Sequence, residues 1–600
     1  MQKQNKDSGA VKHHVLPTET AVEKQDKIRR IAQTIVEAIG SGQIQNKRQL
    51  NRLKMDLCHE LNLTEMPSDP DILAYTGKNF KQLSKILGIK PVRTLSGVTP
   101  VAIMTKPINC QHGTCIYCPG GLNSFFGDIP KSYTGNEPAS MRAILNDYDA
   151  YLQTINRLTQ YVSTGHTADK VELIVMGGTF PSFPKGYQEE FITGSFKAMN
   201  DFGEKFYNSE TQEIDFEKFS EYFNLPLNEH DPKVRTEIKN KLLSEKGILN
   251  LEHEHQRNEH AKIRCVTLCI ETKPDWCKQV HLDQMLKLGC TRVEIGVQSL
   301  QDKILKYTNR GHTIQDTMEA VQLSKDSFLK TVFHIMPGQP LSNRTQDIEM
   351  FQELFANPNY RPDGLKIYPC MVMPGTPLQK LWERGEFTPL ETEAAAEIIA
   401  EGKKYIQKYC RVHRVQRDIP VKLASTGINK NNLRQLVEEE LKNKKIVCQC
   451  IRCREAGISS YKQGIESGLE NAEIIIEKYD SSQGLEYFIS LENTQNNLLF
   501  GFIRLRLPSQ PFRPEITPKT AGIRELHVFG TTVPLDTQLL GKQVMQHKGW
   551  GKKLLETAEK IASEELDCKK LLVIAGVGAR EYYYKLGYQK DGIYVGKKLD

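Results

Sequence analysis

Residues 109–121 read N-C-Q-H-G-T-C-I-Y-C-P-G-G, which places Cys110, Cys115 and Cys118 in a C-x4-C-x2-C spacing. Three thiolates on one short loop are typical of an iron–sulfur cluster, whose irons bind cysteine sulfur. The alternative is a structural zinc site with a remote fourth ligand, because zinc is normally held by four ligands. Three cysteines leave one iron of a four-iron cluster open, so the stretch predicts a reaction centre.

Alternating strand and helix patterns surround this stretch. Short apolar runs, each followed by polar residues and then a helical pattern, predict parallel strands at 98–105, 171–176, 263–270, 292–297, 330–336 and 365–368. Active sites of parallel barrels form at the carboxyl ends of their strands. The cysteine loop follows the first run, so the pattern predicts an α/β protein with a partial (β/α)6 barrel and its site at this edge.

Residues directly after the later runs are candidates for binding a cofactor. They are Gly177, Gly178, Thr179, Glu271, Gln298 and Lys366. Adjacent glycines let backbone groups approach a ligand closely. Glu271 and the nearby Asp275 could instead cap the next helix, and the sequence leaves both roles open.

A glycine motif near the C-terminus is a second signal. Gln546-x-x-Gly549-x-Gly551 lies between a strand-rich region and a helix, where small residues let backbone N–H groups wrap a pyrophosphate. An ordinary glycine turn is the alternative for the motif alone. A following strand and an aromatic tail favour a cofactor pocket, although these tyrosines could also be core or surface residues. The tyrosines are Tyr582, Tyr583 and Tyr588.

A second cysteine group, Cys448, Cys450 and Cys453, has the spacing C-x-C-x2-C. Cysteines this close predict a structural zinc site with a fourth ligand from elsewhere in the chain. A second redox cluster is the alternative. His413 and His527 are candidate fourth ligands, between which the sequence does not choose.

The composition limits the class of protein. A chain of 600 residues is too long for one core, and 39% hydrophobic with 26% charged residues is ordinary for a globular protein. The polar start and the lack of a long apolar run favour a cytoplasmic protein without a membrane segment. Clustered cysteines in a reducing compartment indicate metal ligands rather than disulfides.

Two basic segments are candidates for contact with nucleic acid, and the net charge of +7 is a mild indication of an anionic partner. One is helical and carries Lys47, Arg48, Arg52 and Lys54, and the other is the strand-like stretch 411–417. A solvated helix face is an equally good interpretation of the first segment by itself.

Taken together, the motifs resemble known families. The cysteine loop at the mouth of a partial barrel resembles the radical S-adenosylmethionine superfamily, and residues 523–591 resemble a GNAT acetyltransferase domain. The two in one chain closely resemble the catalytic subunit of Elongator, the tRNA-modifying acetyltransferase family, in its archaeal or bacterial single-protein form. Besides the acetyl-CoA segments, the matching strings are 90–97, 110–121, 132–135, 176–180, 292–299, 363–369, 414–420 and 525–528. Lys273 departs from the pattern of this family, which commonly has arginine at that position.

The resemblance implies a division of the chain. We expect a disordered tail at 1–20, a basic helical tRNA-binding segment at 21–90 and a radical S-adenosylmethionine domain at 91–405 with a surface insertion at 200–262. A linker with the zinc-type cysteines then occupies 406–475, and the GNAT domain occupies 476–600.

The resemblance also implies an acyltransferase that forms 5-carboxymethyluridine at the wobble position of tRNA. A [4Fe–4S] cluster on the first cysteine triplet would cleave S-adenosylmethionine to a 5′-deoxyadenosyl radical, which takes a hydrogen from the methyl of acetyl-CoA. The carbon radical adds to C5 of uridine, and hydrolysis of the thioester leaves the carboxymethyl group. The implied partners are the tRNA anticodon arm and an electron donor. A protein lysine acetyltransferase with a structural cluster is the alternative.

Site residues follow from the same resemblance. The three cluster cysteines, with Tyr582 and Tyr583, would be catalytic. The residues expected to bind acetyl-CoA are Glu525, Leu526, His527, Val528, Gln546, His547, Lys548, Gly549, Trp550, Gly551, Lys552, Tyr583 and Tyr588.

Overall fold

The computed structural model describes residues 21–63, 65–88, 97–166, 168–225, 231–463, 468–529 and 549–599. They form two compact units, of which the first takes the residues up to Lys90 with Tyr161–His166 and Asp215–Arg235, and the second takes the rest. The predictions made for residues 1–20 and for Gln546, His547 and Lys548 lie outside the described residues.

The first unit is helical. Its helices are Ala21–Gly40, Lys47–Glu60, Asp69–Leu73, Phe80–Leu87 and, from the predicted insertion, Phe216–Tyr222. The rings of Phe80 and Phe216 stack with centroids 4.0 Å apart, and Phe219 is 0% exposed. Part of the insertion therefore belongs to the core of this unit, which the sequence did not indicate.

The predicted basic face of this unit is divided. Lys54 is buried and its Nζ lies 3.1 Å from Oδ1 of Asp69, which also pairs with Lys47. Arg48 and Arg52 are exposed. Lys47 is also exposed, although it pairs with Asp69, so of the four basic residues only Lys54 is withdrawn from solvent.

A sheet of seven parallel strands in sequential order, β1-β4-β5-β6-β7-β8-β9, forms the partial barrel of the second unit. Its strands are β1 (Thr99–Met104), β4 (Lys170–Met176), β5 (Arg264–Thr272), β6 (Arg292–Gln298), β7 (Lys330–Ile335), β8 (Gly364–Ile367) and β9 (Arg411–Arg414). A hairpin of β2 (Gly121–Ser124) and β3 (Gly127–Ile129) follows the cysteine loop. The predicted α/β class is confirmed, with one strand more than the six expected.

Helices cover the outside of this sheet, as the long apolar strands require. The remaining helices of the described chain are Pro138–Leu145, Ala150–Ser163, Lys185–Phe206, Pro232–Glu245, Leu251–His260, Gln279–Lys287, Asp302–Tyr307, Ile314–Asp326, Arg344–Ala356, Pro377–Glu383, Thr392–Gly402, Leu433–Asn443, Ile451–Arg454, Ala456–Gln463, Trp550–Lys560 and Arg580–Tyr584. None of the helices in the described ranges combines the length and apolarity that crossing a membrane requires.

A second sheet with the order β10-β11-β12-β13-β14-β16-β15 forms the C-terminal part. Its strands are β10 (Glu473–Ser481), β11 (Gly484–Asn493), β12 (Leu498–Leu507), β13 (Thr520–Val528), β14 (Lys570–Val573), β15 (Gln589–Asp591) and β16 (Tyr594–Lys598). Neighbours are antiparallel except β13 and β14, which pair in parallel. The helix Trp550–Lys560 packs its buried Leu554, Leu555 and Ala558 into the core of this sheet.

Buried charges join the barrel to this second sheet. Two nitrogens of Arg506 on β12 lie 2.5 and 2.9 Å from Oδ1 of Asp326, and Arg524 on β13 contacts the two oxygens of Asp363 at 2.5 and 2.9 Å. All four side chains are 0% exposed. Glu486 on β11 accepts hydrogen bonds from both arginines. Because an ion left unpaired in the interior costs about 3–5 kcal/mol, these pairs favour one docking geometry.

Asp363→Ala tests this interface. The substitution removes one of the two carboxylates that pair with the buried Arg524 and leaves only Glu486, so we expect a loss of about 3 kcal/mol in the free energy of unfolding, at the lower end of the range for a broken buried pair. Denaturant titration followed by circular dichroism measures it. Glu564→Ala is the control, since Glu564 pairs with Lys560 at 3.7 Å but is 65% exposed, and a surface change of this kind stays within about 0.5 kcal/mol.

Lowering the pH should distinguish Asp363→Ala from the wild type. Burial alone would raise the pKa of Asp363, but Arg524, Lys325 and Arg504 hold it well below its usual value. A carboxyl with a lowered folded pKa stabilises the protein above its unfolded pKa of about 4, and the stability is lost as the pH falls toward the folded value. Asp363→Ala should therefore lose less stability than the wild type between about pH 4 and pH 2. Equal losses would contradict the interface described here.

Candidate active site

One cavity of about 1250 Å³ reaches from the cysteine loop to the C-terminal sheet. Cys110, Cys115 and Cys118 line one part, and Leu526, His527 and Tyr583 line another. Its outline follows from the fold, because the carboxyl ends of the barrel strands face the open edge of β13. The two predicted cofactor regions, more than four hundred residues apart in the chain, therefore line the same cavity.

The donor set of the first triplet fits a [4Fe–4S] cluster. Burial, then the nearby Cys118 and Cys115, raise the pKa of Cys110 to about 11, so this sulfur needs a cation nearby to be held as a thiolate. Sulfurs around one zinc are about 3.8 Å apart. In the part of the chain that the structure describes, the three sulfurs of this triplet do not all lie within 4.8 Å of one another. A multi-iron cluster suits this wider spacing.

Backbone geometry also directs a donor at one of these sulfurs. Ser132 has a φ of +75°, an unusual conformation for a residue with a side chain. In this conformation its N–H lies 3.3 Å from Sγ of Cys118, while its carbonyl accepts a hydrogen bond from Arg417. Such an N–H stabilises a thiolate, as expected next to a cluster.

Most residues predicted after the barrel strands line this cavity. Gly178, Thr179, Glu271, Gln298 and Lys366 do so, whereas Gly177 packs beside Thr105, whose Oγ1 a Cβ would meet at 2.2 Å. The hydroxyl of Tyr133 donates to Glu271 at 3.1 Å, so this carboxylate does not cap a helix. Oε1 of Gln298 is buried with no hydrogen-bond partner in the described structure. These polar atoms could hold the amino, carboxylate and ribose groups of S-adenosylmethionine.

A buried ionic group lies beneath these residues. Glu294 pairs with Arg292 at 3.3 Å, with Lys366, and with Nε2 of His334 at 3.0 Å. Burial alone would raise the pKa of Glu294, but Lys366 and its other cationic neighbours hold it well below its usual value. Glu271, Glu294 and His334 lie within 4.8 Å of one another. The ammonium group of Lys366 already neutralises this site, which disfavours a metal cation there.

The splay between β13 and β14 forms the C-terminal side of the cavity. The two strands pair only from Thr520–Ile523 to Lys570–Val573. In the described chain no ladder links them further, so the backbone groups of residues 524–528 are open on that side. An extended thioester arm could bind there by hydrogen bonds to the strand edge, as peptides add to sheet edges.

The other predicted acetyl-CoA residues do not all line the cavity. Glu525 is held by Lys330 and by Arg504 at 2.9 Å, which outweigh burial and keep its pKa at about 2, so it acts as a structural ion. Gly549 has a φ of +77° and is the N-cap of the helix Trp550–Lys560. Those that do not line the cavity are Val528, Gly549, Trp550, Gly551, Lys552, Tyr582 and Tyr588.

The structure gives several of these residues other contacts. A Cβ on Gly551 would lie 2.8 Å from the hydroxyl oxygen of Tyr582, so the glycine lets the helix and the tyrosine meet. The hydroxyl of Tyr588 donates to Glu559 at 2.8 Å, and Trp550 packs on a separate apolar cluster. Lys552 is exposed and lies 3.6 Å from Glu556.

The second cysteine group is close enough for one ion. The sulfurs of Cys448, Cys450 and Cys453 lie within 4.8 Å of one another. The buried Lys403 lies 3.8 Å from Sγ of Cys453. Neither His413 nor His527 joins this group among the described ligand atoms. His527 instead stacks on Phe502, with ring centroids 6.2 Å apart.

The cavity is positively charged. Fourteen lysines and arginines line it against seven aspartates and glutamates. The basic strand predicted to contact RNA contributes Arg411, Arg414 and Arg417, which are already engaged by Glu455, Asp418 and the Ser132 carbonyl. This excess of positive charge fits an anionic substrate.

Three side chains near the cluster were missed by sequence reasoning. They are His112, Lys131 and Arg310. Arg310 is half-buried, and its guanidinium donates to the carbonyl of Gly296 at 2.7 Å and lies 3.8 Å from Sγ of Cys115. The only signal for His112 and Lys131 was their position next to the cysteines and the 132–135 string.

Comparisons with known proteins agree with this geometry. Residues 107–354 match the Radical SAM superfamily, residues 362–443 the Radical_SAM C-terminal domain and residues 28–95 the ELP3 N-terminal domain. The fold and the site thus define a radical SAM enzyme. The chain is 44% identical over 583 residues to the tRNA uridine(34) acetyltransferase of Methanocaldococcus jannaschii, which covers 96% of this chain and 99% of that protein.

Two further relatives extend this result. Elongator complex protein 3 of Schizosaccharomyces pombe is 39% identical over 96% of this chain and 98% of its own length. The solved structure of the archaeal Methanocaldococcus infernus Elp3 with an N-terminal deletion is 41% identical and has a TM-score of 0.68, covering 84% of this chain and 100% of that one. The chain belongs to the family of tRNA uridine(34) acetyltransferases and Elongator complex protein 3, which confirms the predicted resemblance.

Gly178→Ala tests the predicted binding of S-adenosylmethionine. Gly178 has a φ of +108°, and a Cβ would lie 3.3 Å from the Cβ of Lys131. Because an alanine in this backbone conformation costs about 1–3 kcal/mol, we expect the Kd for S-adenosylmethionine to rise about tenfold or more. Equilibrium binding to the anaerobically reconstituted protein measures it. Gly186→Ala is the control, since its Cβ meets nothing within 4 Å, and equal Kd values for the two variants would contradict the assignment.

Proposed function

We propose that this enzyme modifies the wobble uridine of tRNA, joining a carbon derived from acetyl-CoA to C5 of the base to form 5-carboxymethyluridine. The observation that carries the proposal is the single cavity lined by Cys110, Cys115 and Cys118 and by Leu526, His527 and Tyr583. A radical made at one end can reach an acetyl group held at the other without entering solvent. Relatives named tRNA uridine(34) acetyltransferase support the choice of substrate.

The cysteine triplet would hold the cluster, and the neighbouring groups would bind S-adenosylmethionine. A bound [4Fe–4S] cluster supplies the electron that cleaves S-adenosylmethionine. Gly178 lets the backbone approach the methionine part, while Glu271 and the unpaired oxygen of Gln298 are placed to accept hydrogen bonds. The buried Lys366 forms an ion pair with Glu294 and keeps a positive charge beneath this part of the cavity.

The C-terminal side would hold acetyl-CoA by the open edge of β13. The backbone of residues 524–528 offers N–H and C=O groups to an extended pantetheine arm, and Tyr583 closes the cavity beside it. Gly549 and Gly551 begin the helix toward which a pyrophosphate would be directed.

The positive charge of the cavity would receive the RNA. Contacts to phosphates position a nucleic acid without reading its sequence. Selection of the uridine requires an unstacked base that enters the cavity, as in other single-stranded RNA sites. An external electron donor completes the set of partners.

Cys115→Ala should abolish the product while leaving tRNA bound. The reconstituted protein is incubated with S-adenosylmethionine, acetyl-CoA and tRNA, and the wobble nucleoside is analysed by mass spectrometry. Loss of one of three cluster ligands removes the electron source but no phosphate contact, so the Kd for tRNA should change less than about twofold. Cys277→Ala is the control, because Cys277 is buried beside Ser324 and does not line the cavity.

Two outcomes would contradict the proposal. One is a wild-type protein that binds a cluster yet forms no modified uridine with any tRNA offered. The other is acetylation of protein lysines that survives removal of S-adenosylmethionine, which would support a protein lysine acetyltransferase with a structural cluster.

Zinc is proposed for the second cysteine group. Cys450→Ser should lower the zinc content of the purified protein by one ion per chain, because a structural zinc is not retained by two cysteines. Elemental analysis measures it. Cys410→Ala is the matched control, a neighbouring buried cysteine outside the group. Iron instead of zinc at this site, or an unchanged zinc content in the variant, would overturn the assignment.

A further inference from the structure

Side chains from separate segments converge on the sulfur of Cys115. Nε2 of His112 lies 3.5 Å from Sγ of Cys115, and Nζ of Lys273 lies 2.9 Å from Nδ1 of His112. Oδ2 of Asp275 lies 3.2 Å from the same Nζ. The side chain of Lys273 is only 3% exposed, so these contacts run through the interior of the protein.

The charge of Lys273 decides the direction of these hydrogen bonds. An ammonium group has three N–H donors and no acceptor. Burial and then Arg310 lower the pKa of Lys273, while the ion pair with Asp275 at 3.2 Å opposes this shift and favours the ammonium form. The ammonium group donates to Nδ1 of His112 at 2.9 Å, so the proton of the neutral imidazole is on Nε2. We assign the tautomer from this contact. The Nε2–H group is therefore a donor directed at the sulfur of Cys115.

Two glycines make room for this arrangement. Gly311 has a φ of +77°, and a Cβ there would lie 2.5 Å from the Cβ of His112. A Cβ on Gly296 would lie 2.4 Å from Nη2 of Arg310, whose Nη1 is 3.8 Å from Sγ of Cys115. Since neither position has space for a side chain, the backbone itself is shaped to bring two N–H donors to one sulfur.

We propose that His112 and Lys273 are positioning residues that set the reduction potential of the cluster on the cysteine triplet. An N–H donor to a cluster thiolate stabilises the reduced state, which carries one more negative charge, and so raises the potential. Lys273 acts through His112 by fixing its tautomer. The inference rests on the proposed function only for the presence of the cluster.

The test is the midpoint potential of the reconstituted full-length protein, measured by an anaerobic redox titration followed by electron paramagnetic resonance. His112→Leu should lower the potential, because the N–H donor is lost. His112→Gln keeps an amide N–H near the position of Nε2 and should restore most of the wild-type value. Lys273→Met should also lower the potential, and Lys273→Arg should keep it.

Controls separate the hydrogen bonds from simple charge. Lys131→Met removes a nearby cation, whose Nζ donates to Thr114 at 3.0 Å and which also lowers the pKa of Cys110, without touching His112. It should shift the potential less than Lys273→Met. In a His112→Leu background, Lys273→Met should shift the potential less than in the wild type, because the histidine through which it acts is gone.

The proposal would be overturned by an unchanged potential in a His112→Leu protein with full iron content, or by equal shifts for Lys131→Met and Lys273→Met. If His112→Leu does not retain iron, the Lys273→Met and Lys273→Arg pair decides, because Lys273 is not on the cysteine loop. A wild-type protein with a titratable cluster and no uridine product would contradict the proposed function. The midpoint potentials of the variants would still test the roles of His112 and Lys273.

Discussion

The buried pairs of Arg506 with Asp326 and Arg524 with Asp363 determine where the C-terminal sheet meets the barrel. Pairs of this kind add little net stability, because desolvation consumes most of their attraction. Their effect is selective, since any other docking geometry would leave a buried charge without its partner. Backbone contacts reinforce them: a Cβ on Gly576 would lie 2.1 Å from the carbonyl oxygen of Val266 on β5.

This docking gives the two halves of the molecule a common interior. Residues at the carboxyl ends of the barrel strands and at the open edge of β13 line the same cavity. The ion pair between Lys330 on β7 and Glu525 on β13 lies at this junction. Glu525, which the family resemblance predicts as a cofactor residue, lines the cavity and also joins the two sheets through its ion pair with Lys330.

Local patterns predicted much of this fold because they depend on short stretches of chain. Five apolar runs became β4 to β8 within two residues at each end, and the cysteine spacing indicated a cluster. Contacts made across the chain were not predictable in this way. Phe216 packs on Phe80 although a long stretch of sequence separates them, and Lys54 is buried against Asp69 instead of facing solvent.

The sequence by itself determined the chemistry available to this protein: the three cysteines, the glycines after the strands and the motifs of two known domains. Spacing along the chain carries that information, because ligands on one loop are close in any fold. Only the tertiary structure decided how these groups act together, in one cavity, with His112 directed at Cys115 by Lys273. The shared cavity and these contacts depend on distances between segments that are far apart in the chain. Those distances are fixed only when the chain folds and buries its charged pairs and close backbone contacts.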